Sequence, residues 1–177
     1  MIAKEILNSL KSRSTDAKLL LILNEGVGDF RLESSGEKAS LFTETVLHFG
    51  VSSLSHLLTT VERVIGVFRE LSRTAEQKLG IIEAVMSFWK ARPQYKVLVV
   101  DKLLALRILD GVSVINFIFT ELVIPEASSG YVWELLRRTV AKTISRTETV
   151  EAALEEDERV LRQMKEKGAD GESLMTI

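Results

Sequence analysis

No cysteine occurs in this chain of 177 residues, and histidine, proline, tyrosine and tryptophan occur twice each. The first absence removes disulfides, thiolate nucleophiles and cysteine-based zinc sites. It fits a reducing compartment, cytoplasm or nucleus. His48 and His56 are too few for a metal site without an acid cluster nearby, and neither stands in a nucleophile motif. They lie on either side of a turn at Gly50 and read as packing or surface residues. Positive charge is not in excess: Lys plus Arg number 23 against 25 for Asp plus Glu, a formal net charge of -2. That argues against a strongly basic nucleic-acid binder and leaves room only for local basic patches. The longest apolar run, Leu19 to Leu23, is far short of the ~18 residues of a membrane span. Charge at Lys4 and Glu5 breaks any secretory signal at the start.

What is present is helical. Two prolines and ten glycines leave long uninterrupted segments, and apolar residues recur at spacings of three and four almost throughout. By this pattern roughly three quarters of the chain is helix, and no useful strand alternation occurs. Ile2, Ile6, Leu7 and Leu10 mark a first helix. Ser14-Thr15-Asp16 caps a second, over Leu19 to Leu23. A third carries Leu41, Phe42, Val46, Leu47 and Phe49 and ends at Gly50. The next, capped at Ser52 or Ser53, runs through Leu54, Leu58, Val61 and Ile65 to Phe68. Another starts about Thr74 and ends before Pro93. Tyr95 to Leu109 and Val112 to Leu122 are apolar nearly all round, as helices in the middle of a stack must be. The architecture predicted is all-α: antiparallel helix pairs laid side by side as an α-solenoid of HEAT or armadillo type, without an exact sequence period.

Glycines and serines from Glu25 to Glu37 predict a linker. The chain then divides into residues 1–24, the end of a preceding helical domain; the linker 25–37; a helical domain over 38–167; and a disordered tail over 168–177. The last helix starts near Ser128 or Ser129 and changes character along its length. Val150, Leu154, Asp157, Leu161 and Met164 keep coiled-coil spacing with a polar interruption. Acids come first and Arg159, Arg162, Lys165 and Lys167 last, which suits the helix dipole and sets up Glu155–Arg159 and Glu158–Arg162 pairs. The segment reads as the start of a longer coiled arm.

Candidate chemistry is sparse. Asp101, Lys102 and Asp110 lie in or beside apolar helices, and Glu134 adjoins Trp133. Such acids could be shifted general acids or bases, but buried ion pairs and helix caps are the commoner use. Gly26-Val27-Gly28 lacks the lysine and the βα unit of a phosphate loop. Arg137, Arg138, Lys142 and Arg146 give the last helix a basic face that could meet nucleic-acid backbone; a solvated helix face is the commoner case. Trp89, Tyr95, Tyr131 and Trp133 read as core anchors rather than base-stacking platforms.

The order of marks is more specific than any of them alone. Phe88-Trp89 is followed by Pro93-Gln94, Val100-Asp101-Lys102, Leu109-Asp110, Asn116-Phe117-Ile118-Phe119, then Val132 to Leu136 with Trp133-Glu134, and Thr139. Upstream stand Thr45 to His48 and Ser53 to His56. This order resembles the large subunits of nuclear cap-binding complexes, over about residues 38–167 and more weakly over 1–24. That family is built of MIF4G-like helical domains, and the chain looks like the end of one such domain, a linker and the first half of the next. It therefore looks like a fragment, a truncated gene model or a divergent form.

The resemblance implies a non-enzymatic, nuclear scaffold that can pass to the cytoplasm and needs no cofactor or metal. Its expected partners are a small RNA-recognition-motif subunit that grips the cap, capped RNA indirectly through that subunit, and RNA-processing and export factors, with no membrane. Trp89, Pro93, Gln94, Asp101, Lys102, Asp110, Asn116, Phe119, Trp133 and Glu134 are then structural marks, with no catalytic residue among them. Cap-stacking residues belong to the small subunit, so none is placed here. Two alternatives stand beside it: a MIF4G-like or HEAT-like scaffold of another RNA-processing or translation complex, and an all-α enzyme using Asp101, Asp110 or Glu134.

Overall fold

The computed structural model describes residues 1–173, with side chains except at 123–124 and 165–173. Among the described residues there is no strand, and the single bridge joins Val27 to Phe30. The helices are α1 (Ile2–Lys11), α2 (Asp16–Glu25), α3 (Ser35–Gly50), α4 (Leu54–Arg63), α5 (Ile65–Glu70), α6 (Ala75–Phe88), α7 (Pro93–Ala105), α8 (Gly111–Phe117), a π-helical segment (Ile118–Leu122), α9 (Val123–Glu126) and α10 (Gly130–Ser173). Two compact units divide the chain after Thr139, within α10.

Local chemistry starts these helices. Thr15, Ser34, Ser53, Thr74 and Asp110 each accept a backbone N–H of the first turn. Such caps satisfy donors that have no partner inside the helix. Thr74 and Gln77 form a reciprocal capping box. Pro93 sits in the first turn of α7, where its missing N–H costs nothing.

Within the first unit the helices stack in two rows. Gly36 and Gly80 meet near the starts of α3 and α6, and His48 and Phe88 meet at their ends with ring centroids 4.7 Å apart. These two helices therefore run parallel. Lys78 of α6 reaches the Asp110 cap of α8, so α8 continues the row. In the other row Gly66 of α5 touches Asp16 of α2, Lys102 of α7 reaches Glu62 of α4, and Lys96 of α7 reaches Tyr131 of α10. A continuous core from Ile2 to Leu135 lies between them, with Phe42 edge-on to Phe68 at 5.1 Å.

Gly36 and Gly80 set how closely α3 and α6 pack. A Cβ built on Gly80 would lie 2.4 Å from the Gly36 carbonyl oxygen, far inside contact distance. Glu76 fastens the same crossing. Its carboxylate accepts from Ser34 Oγ, Ser35 Oγ and Gly36 N–H at the start of α3.

Four local readings change. The helix predicted through Phe68 breaks at Val64, which leaves helical geometry at φ -105° and ψ 26°. Two β-branched residues followed by glycine are a weak place in a helix, and the break lets Val67 and Phe68 turn into the core. The helix predicted over Val112 to Leu122 widens to a π turn at Ile118. Pro125, inside α9, lacks an N–H and crowds the carbonyl four residues back; a wider turn just before it relieves that crowding. Asn116, in α8, and Phe119, in the π turn, face solvent, with Phe119 54% exposed. The last helix continues through Gly168 and Gly171 to Ser173, past its predicted end. Of the tail predicted over 168–177, residues 174–177 lie outside the described residues.

The fourth change is Trp133. It is 49% exposed, whereas Val132 and Leu135 are buried. Neighbours on a helix point about 100° apart, so a face set by Val132 and Leu135 turns Trp133 outward. Its Nε1 donates to the Ala127 carbonyl at 2.7 Å. Trp89 is the true anchor, 5% exposed and stacked on Tyr95 at 4.6 Å. Tyr95 and Tyr131 are half-buried against the core.

In the second unit the seam keeps its spacing, and Val150, Leu154, Leu161 and Met164 are exposed on α10. Arg162 pairs with Glu158 as expected, but Arg159 pairs with Glu156 at 2.8 Å rather than with Glu155.

Gly80→Val should force α3 and α6 apart and cost on the order of 1–3 kcal/mol by overpacking, read as a lower midpoint in urea melts. Trp89→Ala should cost about 3–5 kcal/mol, while Trp133→Ala should cost clearly less. Equal losses for the two tryptophans would refute the burial assigned to them.

Candidate interaction site

Two of the charged residues singled out in the sequence, Lys102 and Asp110, act as ties between helices. Lys102 Nζ reaches Glu62 Oε1 at 2.5 Å, joining α7 to α4. Asp110 caps α8 through Ser113 N–H at 2.8 Å and takes Lys78 Nζ at 2.6 Å, joining α8 to α6. Burial pushes the Asp110 carboxyl up, but the Lys78 ammonium and the Ser113 donors outweigh it and hold it below the usual carboxylate range. Glu134 accepts from Arg138 and Arg137, whose hydrogen bonds hold it low as well. Arg138 in turn feels the charge of half-buried Asp101 on α7. Asp110, which joins α6 and α8, therefore stands apart from Glu134, which pairs with Arg137 and Arg138 within α10. On the basic face expected of the last helix, Arg137 and Arg138 share the single carboxylate of Glu134, which offsets one of their two charges.

The two histidines do not form a site. His48 stands edge-on to Phe88, and His56 lies by Phe49 at 5.2 Å. Among the described residues no group of three or more His, Cys, Asp or Glu could hold a metal.

One groove does gather varied chemistry. It lies where α7, α9 and the first turns of α10 meet, with a volume of about 590 Å³. Pro93, Val97, Leu98 and the Tyr131 ring supply apolar wall, and Gln94 stands at its edge. Lys96 lines it and is only 3% exposed. Its Nζ donates to Tyr131 Oη at 3.1 Å and sits 4.4 Å from the centre of that ring. Tyr131 Oη donates to Glu126 Oε2. Burial, then the Glu126 carboxylate, push the Tyr131 phenol far above its ordinary pKa. Lys90, Glu134 and Arg138 complete the lining.

Of the marks read from the sequence, Pro93, Gln94 and Glu134 come together here. Asp101 does not line it. Trp89, Lys102, Asp110, Asn116, Phe119 and Trp133 do not line the groove. Sequence reading missed Lys96, Glu126 and Tyr131 as a set. The one available signal was a lysine inside a helix that is otherwise apolar nearly all round.

Asp110→Asn should cost less than about 1 kcal/mol, because it keeps a capping side chain and loses a partly exposed ion pair. Asp110→Ala should cost about 1 kcal/mol more through the lost cap. The folded carboxyl is the stronger acid, so its stabilisation is present above the ordinary aspartate range and is lost as pH falls through the lower folded value. Melting curves of the protein and of Asp110→Asn should therefore converge at acid pH; a constant gap would refute the pairing.

Comparison with known proteins accords with this geometry. A family model described as MIF4G-like matches residues 1–175. Nuclear cap-binding protein subunit 1-B of Xenopus laevis is 28% identical over 177 residues, covering 96% of this chain and 22% of that protein. Nuclear cap-binding protein subunit 1 of Xenopus tropicalis is 27% identical over the same coverage. That of Gallus gallus is 31% identical over 134 residues, 75% of this chain and 17% of that protein. The chain thus spans about a fifth of the length of these relatives. With its two rows of stacked helices and no strand among the described residues, the chain belongs to the MIF4G-like family and is similar to one part of the large cap-binding subunit.

Proposed function

We propose that this chain serves as a non-catalytic scaffold segment of a nuclear cap-binding complex. It would support a small RNA-recognition-motif subunit that holds the cap, and through that subunit couple capped RNA to processing, export and decay. The carrying observation is similarity over 96% of the chain to nuclear cap-binding subunits. The use of its acids agrees. Asp110 and Glu134 are held to cations of their own stack rather than aimed at a substrate, which favours a scaffold over an enzyme. A nuclear location, with passage to the cytoplasm, follows from the same reading. Among the described residues no helix is long and apolar enough to cross a membrane. Of the signature residues, Trp89, Pro93, Asp101, Lys102, Asp110 and Glu134 are proposed to hold the stack, while Gln94, Asn116, Phe119 and Trp133 lie on its surface. The division at residues 25–37 is kept as a proposal beside the finding that α1 and α2 share one core with the later helices and that α3 begins at Ser35.

Cap recognition needs a purine held between aromatic rings with polar groups on its edge. Trp89 and Tyr95 are already stacked on each other, and Tyr131 is covered by Lys96. Isothermal titration with a methylated cap analogue should show no binding by the chain alone and binding once the small subunit is added. Tight binding by the chain alone would overturn the reading. Failure to retain the small subunit in pull-downs would favour a MIF4G-like scaffold of another complex.

A further inference from the structure

The groove between α7, α9 and α10 poses an electrostatic problem within the fold. Lys96 carries an ammonium that is 3% exposed. Such a charge is costly to bury unless an anion or several acceptors meet it. Here the hydrogen bond it makes goes to a neutral phenol, and its other contact is a ring face. An ammonium has three donors, so donor capacity is left over at the groove. Lys90, exposed on the rim, adds a second cation whose ammonium makes no hydrogen bond or ion pair among the described residues. Two carboxylates also line the groove: Glu126 accepts one hydrogen bond from Tyr131, and Glu134 accepts from Arg137 and Arg138. Lys90, Lys96 and Arg138 stand against Glu126 and Glu134, an excess of one positive charge.

We propose that this groove docks a single acidic side chain carried on an apolar peptide segment of a partner protein. The carboxylate would take the spare donors of Lys96 and the charge of Lys90. Its apolar neighbours would cover Pro93, Val97 and Leu98, the last 37% exposed. A peptide fits better than nucleic-acid backbone. A run of phosphates would bring repeated charge against Glu126 and Glu134, whereas an excess of one positive charge between apolar walls suits a single anion. The inference does not depend on the cap-complex reading, because the chain by itself should show the binding.

The probe is a pool of acetylated, amidated heptapeptides with a central Glu or Asp and flanks drawn from Leu, Ile, Val, Phe, Met and Pro. A matched pool carries Gln or Asn at the centre, and a short oligouridylate tests the phosphate alternative. Affinity selection on the whole chain, read by mass spectrometry, should retain the acidic pool about tenfold over the amide pool, the size of one charge-assisted hydrogen bond. Lys90→Ala should lower retention severalfold, and Lys96→Met should remove the preference for acid. Should Lys96→Met fail to fold, Gly130→Leu serves in its place. Gly130 lines the groove, and a Cβ built there meets nothing within 4 Å. That variant should keep its helical circular dichroism and lose retention. Equal retention of the two pools, retention unchanged by Gly130→Leu, or preference for the oligonucleotide would each overturn the proposal.

Discussion

The close approach of α3 and α6 at Gly36 and Gly80 sets the frame for the first unit. Backbones come this near only where no Cβ intervenes. Once α3 and α6 lie parallel, the intervening α4 and α5 must return between them on the other side. Through Lys78 and Asp110, α8 is then joined to the row that α3 and α6 set. Glu76 adds direction: its carboxylate, held below the usual glutamate range by Ser34, Gly36 and Ser35, sits at the positive end of α3.

Polar ties then fix the rows where apolar packing alone would allow sliding. Hydrophobic contacts are non-directional. An ion pair or a cap has a defined partner, and Lys78 with Asp110, or Lys102 with Glu62, selects one register of neighbouring helices. Exposed pairs of this kind add little stability each. Their contribution is better seen as choosing among arrangements that bury similar apolar area. Lys102 and Asp110, two of the charged marks read from the sequence, fall at such ties.

The groove arises from a disturbance in that regularity. The π turn at Ile118 and the short α9 around Pro125 replace what would have been a straight helix. Glu126 is thereby carried to Tyr131, five residues on and across a turn, and the Tyr131 ring covers Lys96. The most regular part of the chain supplies the stack, and its least regular joint supplies the mixed chemistry.

The sequence by itself determined the all-helical class, most helix starts and the seam of α10. Apolar periodicity and capping side chains act over three or four residues, so they can be read locally. It also marked Trp89 and Asp110, whose neighbours in the chain already imply burial and a cap. The tertiary structure alone decided that Trp133 and Phe119 face outward, because a helix shows its apolar residues without saying which will find a partner. It alone decided the break at Val64 and the π turn, where packing of Phe68 and accommodation of Pro125 outweighed continuous periodicity. Lys96, Tyr131 and Glu126 are likewise invisible as a set: their spacing follows no local rule, and only the docking of α9 and α10 on α7 brings the three together.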